Sequence, residues 1–106
     1  MRMNDLPMAC ALTSAQLQER RRTVLDKVKQ AIVETKELDD GFALSFPSSG
    51  ESLTELVAMV ALERQCCPFL RFRITVEAGA GPLWLEITGP EGTKDFLKNT
   101  FDWNMS

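Results

Sequence analysis

The sequence predicts an α+β fold: an N-terminal helix, then two β-β-α units whose four strands form an antiparallel sheet with the helices on one face. Three observations predict it. An apolar stripe at helical spacing, Leu17, Val24, Leu25, Val28, Ala31 and Ile32, precedes any strand-like alternation. Extended runs then come in pairs, one around Asp40-Gly41 and one around "GAGP" at 79–82. A faint internal echo links "ALSFPSSGESLTEL" (43–56) with "WLEITGPEGTKDFL" (84–97), alike in apolar placement and turn chemistry. Two such units give a four-stranded antiparallel sheet covered on one side.

Taken in order, residues 1–12 show no periodicity and read as an irregular lead-in to a single domain spanning 1–106. Thr13 with Gln16 fits a capping box, opening a helix over roughly 14–30 whose polar face carries Glu19, Arg20, Arg22, Asp26, Lys27 and Lys29. The run Arg20, Arg21, Arg22 reads as a solvated face. "AIVETKEL" and "FALSFP" flank Asp40-Gly41 as a hairpin; Phe42, Leu44 and Phe46 point one way, and the first strand has no clear inner face, as an edge strand would not. A second helix over about 51–66 starts at Ser49 or Ser52, packs through Leu53, Leu56, Val57, Val60 and Ala61, and stops before Pro68. In the second hairpin Phe72, Ile74 and Val76 alternate with Arg71, Arg73, Thr75 and Glu77, and Leu83, Leu85 and Ile87 form one face of the return strand. Arg73, Thr75, Trp84 and Glu86 are left for the other, open face. "GPEG" leads into a last helix packing through Phe96, Leu97 and Phe101, with Trp103 covering a sheet edge.

A chain of 106 residues with 44% hydrophobic and 25% charged residues can bury a core without disulfide staples. Its net charge of −3 offers no positive field for nucleic acid. No apolar run is long enough to span a bilayer and the first residues lack a signal-peptide pattern, so no membrane association is expected and the cytoplasm is the expected location. In that reducing compartment the three cysteines are expected as thiols. The chain has no histidine and no tyrosine, which excludes Ser-His and Cys-His catalysis, histidine metal sites and histidine pH switching.

What remains is the stretch "ERQCC". Glu63 stands three residues before Cys66 and four before Cys67, so it shares a helix face with both. Continuing the stripe from Val57 and Val60 reaches Arg64 and Cys67, so Arg64 is expected to snorkel out or to pair with Glu63 or a backbone carbonyl. Cys10 supplies a third sulfur, and Arg71 and Arg73 add positive charge that favours thiolates. "CALT" near the N-terminus, "ERxCCPF" in the middle and "LWxxIxGPEG" after it resemble a small group of bacterial proteins of unassigned function, some associated with heavy-metal resistance settings. The resemblance spans nearly the whole chain and groups Cys10, Glu63, Arg64, Cys66 and Cys67, without implying a reaction.

Thiolates select thiophilic ions, so Cys10, Cys66 and Cys67, with Glu63 completing the donors and Arg64 and Arg71 in support, point to a site for an ion of the zinc, mercury or arsenic class. The leading reading is therefore a small soluble protein that binds a soft metal or metalloid for sensing, delivery or sequestration. The alternative is a non-catalytic interaction module, homodimeric through the open sheet face, with cysteines that only pack. A cysteine enzyme ranks third, because Glu63 would have to serve as its base.

Overall fold

The computed structural model describes residues 15–101, the last two through their backbone only. The elements are α1 (Ala15–Ala31), β1 (Glu34–Leu38), β2 (Gly41–Phe46), α2 (Gly50–Cys66), β3 (Arg71–Val76), β4 (Leu83–Thr88) and α3 (Thr93–Phe101). The four strands form one sheet in the order β1-β2-β4-β3, antiparallel throughout, so β1 and β3 are its edges. The predicted fold class holds. The capping box at Thr13 and the cover by Trp103 lie outside the described residues, as does the side chain of Phe101.

Period-2 alternation builds the core face. Phe42, Leu44 and Phe46 of β2 lie directly opposite Ile87, Leu85 and Leu83 of β4, and all six are buried. Phe72 and Ile74 of β3 extend this face, while Leu56 and Met59 of α2 and Leu97 of α3 close over it. Each fully buried Leu or Phe stabilises the fold by about 1.5–3 kcal/mol relative to exposure. α1 adds Leu25 and Val28, with Val24, Ala31 and Ile32 packed around them.

The other face of the sheet is mixed. Lys36 extends from β1 until its Nζ sits 4.8 Å from the centre of the Trp84 ring. That reach passes over Ala43 and Ser45, the residues paired with Lys36 and Trp84, which explains why a central strand keeps small residues here and still has them buried. Arg73 approaches Glu86 at 4.0 Å across the β3–β4 pair.

Local chemistry sets the boundaries. Ser49 caps α2, its hydroxyl oxygen accepting from the Ser52 backbone N–H at 3.0 Å. Thr93 Oγ1 donates to the Pro90 carbonyl at 2.6 Å at the start of α3, and Phe69 meets Phe96 edge to face with centroids 4.8 Å apart. α1 and β1 nearly touch: Ile32 N–H still donates to Lys29, whereas Val33 N–H already donates to Ser45 of the sheet. The first strand therefore starts at Glu34, later than "AIVETKEL" suggested, because the helix keeps Ala31. At Gly41 a Cβ would lie 1.8 Å from the Ile87 carbonyl oxygen, so the strand crossing there requires glycine.

The echo has a geometric meaning. Leu44 and Leu85 are register partners, and they also stand 41 positions apart, the same offset that carries Ala43 onto Trp84 in the repeated text. Leu44 and Leu85 thus sit on a pseudo-two-fold axis relating the two β-β-α units. Leu56 and Leu97, again 41 apart, are both buried. Among the described residues no helix is long and apolar enough to cross a membrane.

Candidate metal centre

The site forms where α2 ends. Its buried stripe is Leu56, Met59, Glu63 and Cys66, with Leu62 alongside; of the residues expected from the sequence, Leu56 is buried and Leu53 and Val60 pack against the core, whereas Val57 and Ala61 turn away. Val57 is 53% exposed and Ala61 is also exposed. The reason is rotational: Leu56 and Met59 lie about 100° back from Val57 and Val60, and following them forward in helical steps leads to Glu63 and Cys66. The same rotation turns Arg64 out to solvent.

Glu63, Cys66 and Cys67 are all at 0% exposure. One carboxylate oxygen and the two Sγ atoms lie within 4.8 Å of one another. Cys67, one residue past the last helical turn, reaches the same side because it leaves helical geometry (φ −126°, ψ 74°) while its N–H still donates to the Glu63 carbonyl at 2.7 Å. Its own carbonyl accepts from Leu70 N–H at 3.1 Å, so the turn through Pro68 is tied at both ends. Two adjacent cysteines are thereby enclosed together, as successive residues of a continuing helix would not be.

The cation beside Glu63 is Arg21, not Arg64. Its Nε–H donates to Oε1 at 3.0 Å and to Oε2 at 2.8 Å, joining α1 to α2 through a pair in which the Arg21 side chain keeps 14% exposure and Glu63 none. Arg21 also favours the thiolate form of Cys67. Sequence reading set it in a solvated run, and indeed Arg20 and Arg22 are exposed, Arg22 bonding Glu19 at 3.2 Å. A signal was present, since Arg21 lies four residues before Leu25 and seven before Val28, on the stripe that faces inward. Arg71 is exposed at the start of β3, and its register partner Thr88 puts it on the open side of the sheet, away from the cluster.

Burial dominates the electrostatics. It pushes the Glu63 carboxyl above its usual range against the opposing pull of Arg21. The Cys67 thiol is pushed up to about 12, first by burial and then by the nearby Glu63 charge, with Arg21 only partly offsetting both. A buried thiol of this kind is a poor nucleophile, while a cation that replaces its proton removes the cause of the shift. Cys67 is a free thiol, whereas Cys66 is disulfide-bonded, contrary to the expectation of three thiols. Cys10 lies outside the described residues. The chain matches no family model, no curated protein and no solved structure. The donor set itself therefore carries the functional reading.

Its geometry suits a thiophilic cation. Three atoms mutually within 4.8 Å share a centre no farther than about 2.8 Å from each, and sub-ångström contraction reaches zinc-sulfur distances of about 2.3 Å. Two sulfurs and one oxygen, with a guanidinium against the oxygen, converge in an enclosed donor set that Cys66 can join as a thiolate only once its disulfide is reduced.

Proposed function

We propose that this protein binds one soft metal or metalloid ion, of the zinc, mercury or arsenic class, through Cys66, Cys67 and Glu63, and holds it for sensing, delivery or sequestration. The convergence of those three donors, fully buried, is the observation that carries the reading. Thiolates rank thiophilic ions above magnesium or calcium, and enclosure favours retention over turnover. The grouping of the same residues in the CALT and ERxCCPF resemblance supports it, and Cys10 is the natural further sulfur donor. Arg21 takes the supporting role that the sequence had given to Arg64 and Arg71.

The test is metal content of reduced, anaerobically purified protein offered zinc, arsenite and mercuric ion separately, with Cys67→Ser and Glu63→Gln alongside. One ion per chain, lost at least tenfold in Cys67→Ser, is the expected result. Binding unchanged in Cys67→Ser, or none in the wild type, overturns it.

A second reading, a homodimer through the open sheet face, rests on Trp84, half-buried beneath Lys36 in the middle of that face. Sedimentation of the wild type beside Trp84→Glu distinguishes it: a dimer disrupted by the substitution supports this reading, and a monomeric wild type removes it.

A further inference from the structure

We propose that two copies of this chain join through β3, edge to edge and antiparallel about a two-fold axis at Ile74, making one continuous sheet across the pair. The backbone shows which groups are on offer. Gly89 N–H donates to the Asp40 carbonyl at 3.1 Å, one step beyond the Gly41–Thr88 pair of β2 and β4. Hydrogen-bonded and non-hydrogen-bonded pairs alternate in an antiparallel ladder, so Leu83, Leu85 and Ile87 spend their backbone groups on β2, and Trp84, Glu86 and Thr88 spend theirs on β3. The register partners of those last three, Thr75, Arg73 and Arg71, therefore bond inward. Phe72, Ile74 and Val76 are left with N–H and C=O pointing away from the sheet, and among the described residues no strand pairs with that side of β3.

Pairing Ile74 with Ile74 of the second copy sets Phe72 against Val76 in both directions, so each outward group finds a partner. The same register sets Arg71 against Glu77 at a closely spaced, non-hydrogen-bonded pair, and Arg73 against Thr75. Arg71 and Glu77 are exposed, and among the described residues neither enters an ion pair. A shift of register one way opposes Arg73 to itself, and a shift the other way runs Phe72 past the end of the strand. On the core side of the sheet the pairing completes an unfinished row: Phe72 and Ile74 are only partly buried, and Val76 is 61% exposed. β1, the other edge, has its charges engaged within the chain, since Lys94 holds Glu37 at 2.8 Å and Lys36 lies over Trp84. The interface is isologous and closes at two copies, and it uses neither the cysteine cluster nor Trp84.

The test is sedimentation over a dilution series from about 1 μM to about 1 mM, with reductant present so that no disulfide joins the copies. The wild type should dimerise. Glu77→Arg, which meets Arg71 with a like charge, and Val76→Pro, which removes an outward N–H at an exposed edge position, should each weaken the dimer at least about tenfold. Arg71→Glu combined with Glu77→Arg should restore it to within about threefold of the wild type, and Trp84→Glu should leave it unchanged. Amide exchange reads the register directly: Phe72, Ile74 and Val76 should exchange more slowly as concentration rises, while Arg73 and Thr75, already bonded to β4, should not change. A wild type that stays monomeric at the highest concentration overturns the proposal. So does a dimer that survives Glu77→Arg and Val76→Pro, or a double swap that fails to recover association. A dimer lost only in Trp84→Glu also overturns it and assigns association to the open face instead.

Discussion

At the scale of single residues, the burial of charge and thiol beside each other makes the cluster sensitive to proton concentration in a defined direction. The Cys67 thiol titrates near 12 in the fold against 9.0 for the unperturbed group, so the unfolded chain loses this proton first as pH rises. Stability is then lost as pH climbs from about 9 toward 12, by up to about 1.4 kcal/mol per pH unit from this group. Cys67→Ala should lack that component, and the difference between the two urea-denaturation series across this range measures it. The same protonation predicts slow alkylation of Cys67 in native protein at pH 8 and rapid alkylation once unfolded; fast labelling of the native thiol would contradict its burial. Arg21 and Glu63 form a second residue-scale test. Arg21→Met leaves a buried carboxylate unpaired and should cost about 3 kcal/mol, whereas Arg21→Met with Glu63→Leu should recover most of it, read from urea midpoints.

At the scale of elements, α2 shows what the sequence disclosed and what it withheld. Its extent, its cap near Ser49 and its end before Pro68 were legible, because capping and proline act locally. Its rotation was not, since Leu53, Leu56, Val57, Met59, Val60 and Ala61 surround much of the helix and two stripes fit almost equally well. Only the sheet beneath and α1 beside it decide between them. Leu56→Ala should therefore cost about 2–5 kcal/mol by opening a cavity in the core, while Val57→Ala should cost under about 1 kcal/mol; the reverse order in thermal or urea melts would contradict this rotation of the helix. The candidate site was legible as a group of residue types within one helical turn. Its cation was not, because Arg21 is 42 residues from Glu63 and reaches it only through packing of α1 on α2. The open face with Arg73, Thr75, Trp84 and Glu86 followed from alternation, which needs no distant information, whereas the strand order β1-β2-β4-β3 depends on long-range pairing that alternation does not encode.

At the scale of the whole molecule, the proposed ion binding would couple to folding. A ligand held only by the native arrangement stabilises it by about 2.7 kcal/mol at a hundredfold excess over its Kd. Reduced protein should accordingly melt several degrees higher with zinc than without, and reduced Cys67→Ser should be indifferent to zinc; a zinc shift of equal size in both would mean that the ion binds elsewhere. The pseudo-two-fold axis through Leu44 and Leu85 places the site asymmetrically. The first β-β-α unit carries the long helix with Glu63 and Cys66, and α1 packs on that helix. One half of the sheet thus supports chemistry that the other half only mirrors in its strands.

Gly41 offers a way to sort sequences by descent without reference to the cysteines. Its missing side chain makes room for the Ile87 backbone, which cannot withdraw without parting β2 from β4. Distant members of the lineage should keep that glycine and the 41-residue repeat around it even where Glu63, Cys66 and Cys67 have been replaced. Such chains would mark descendants that kept the architecture after losing the donor set.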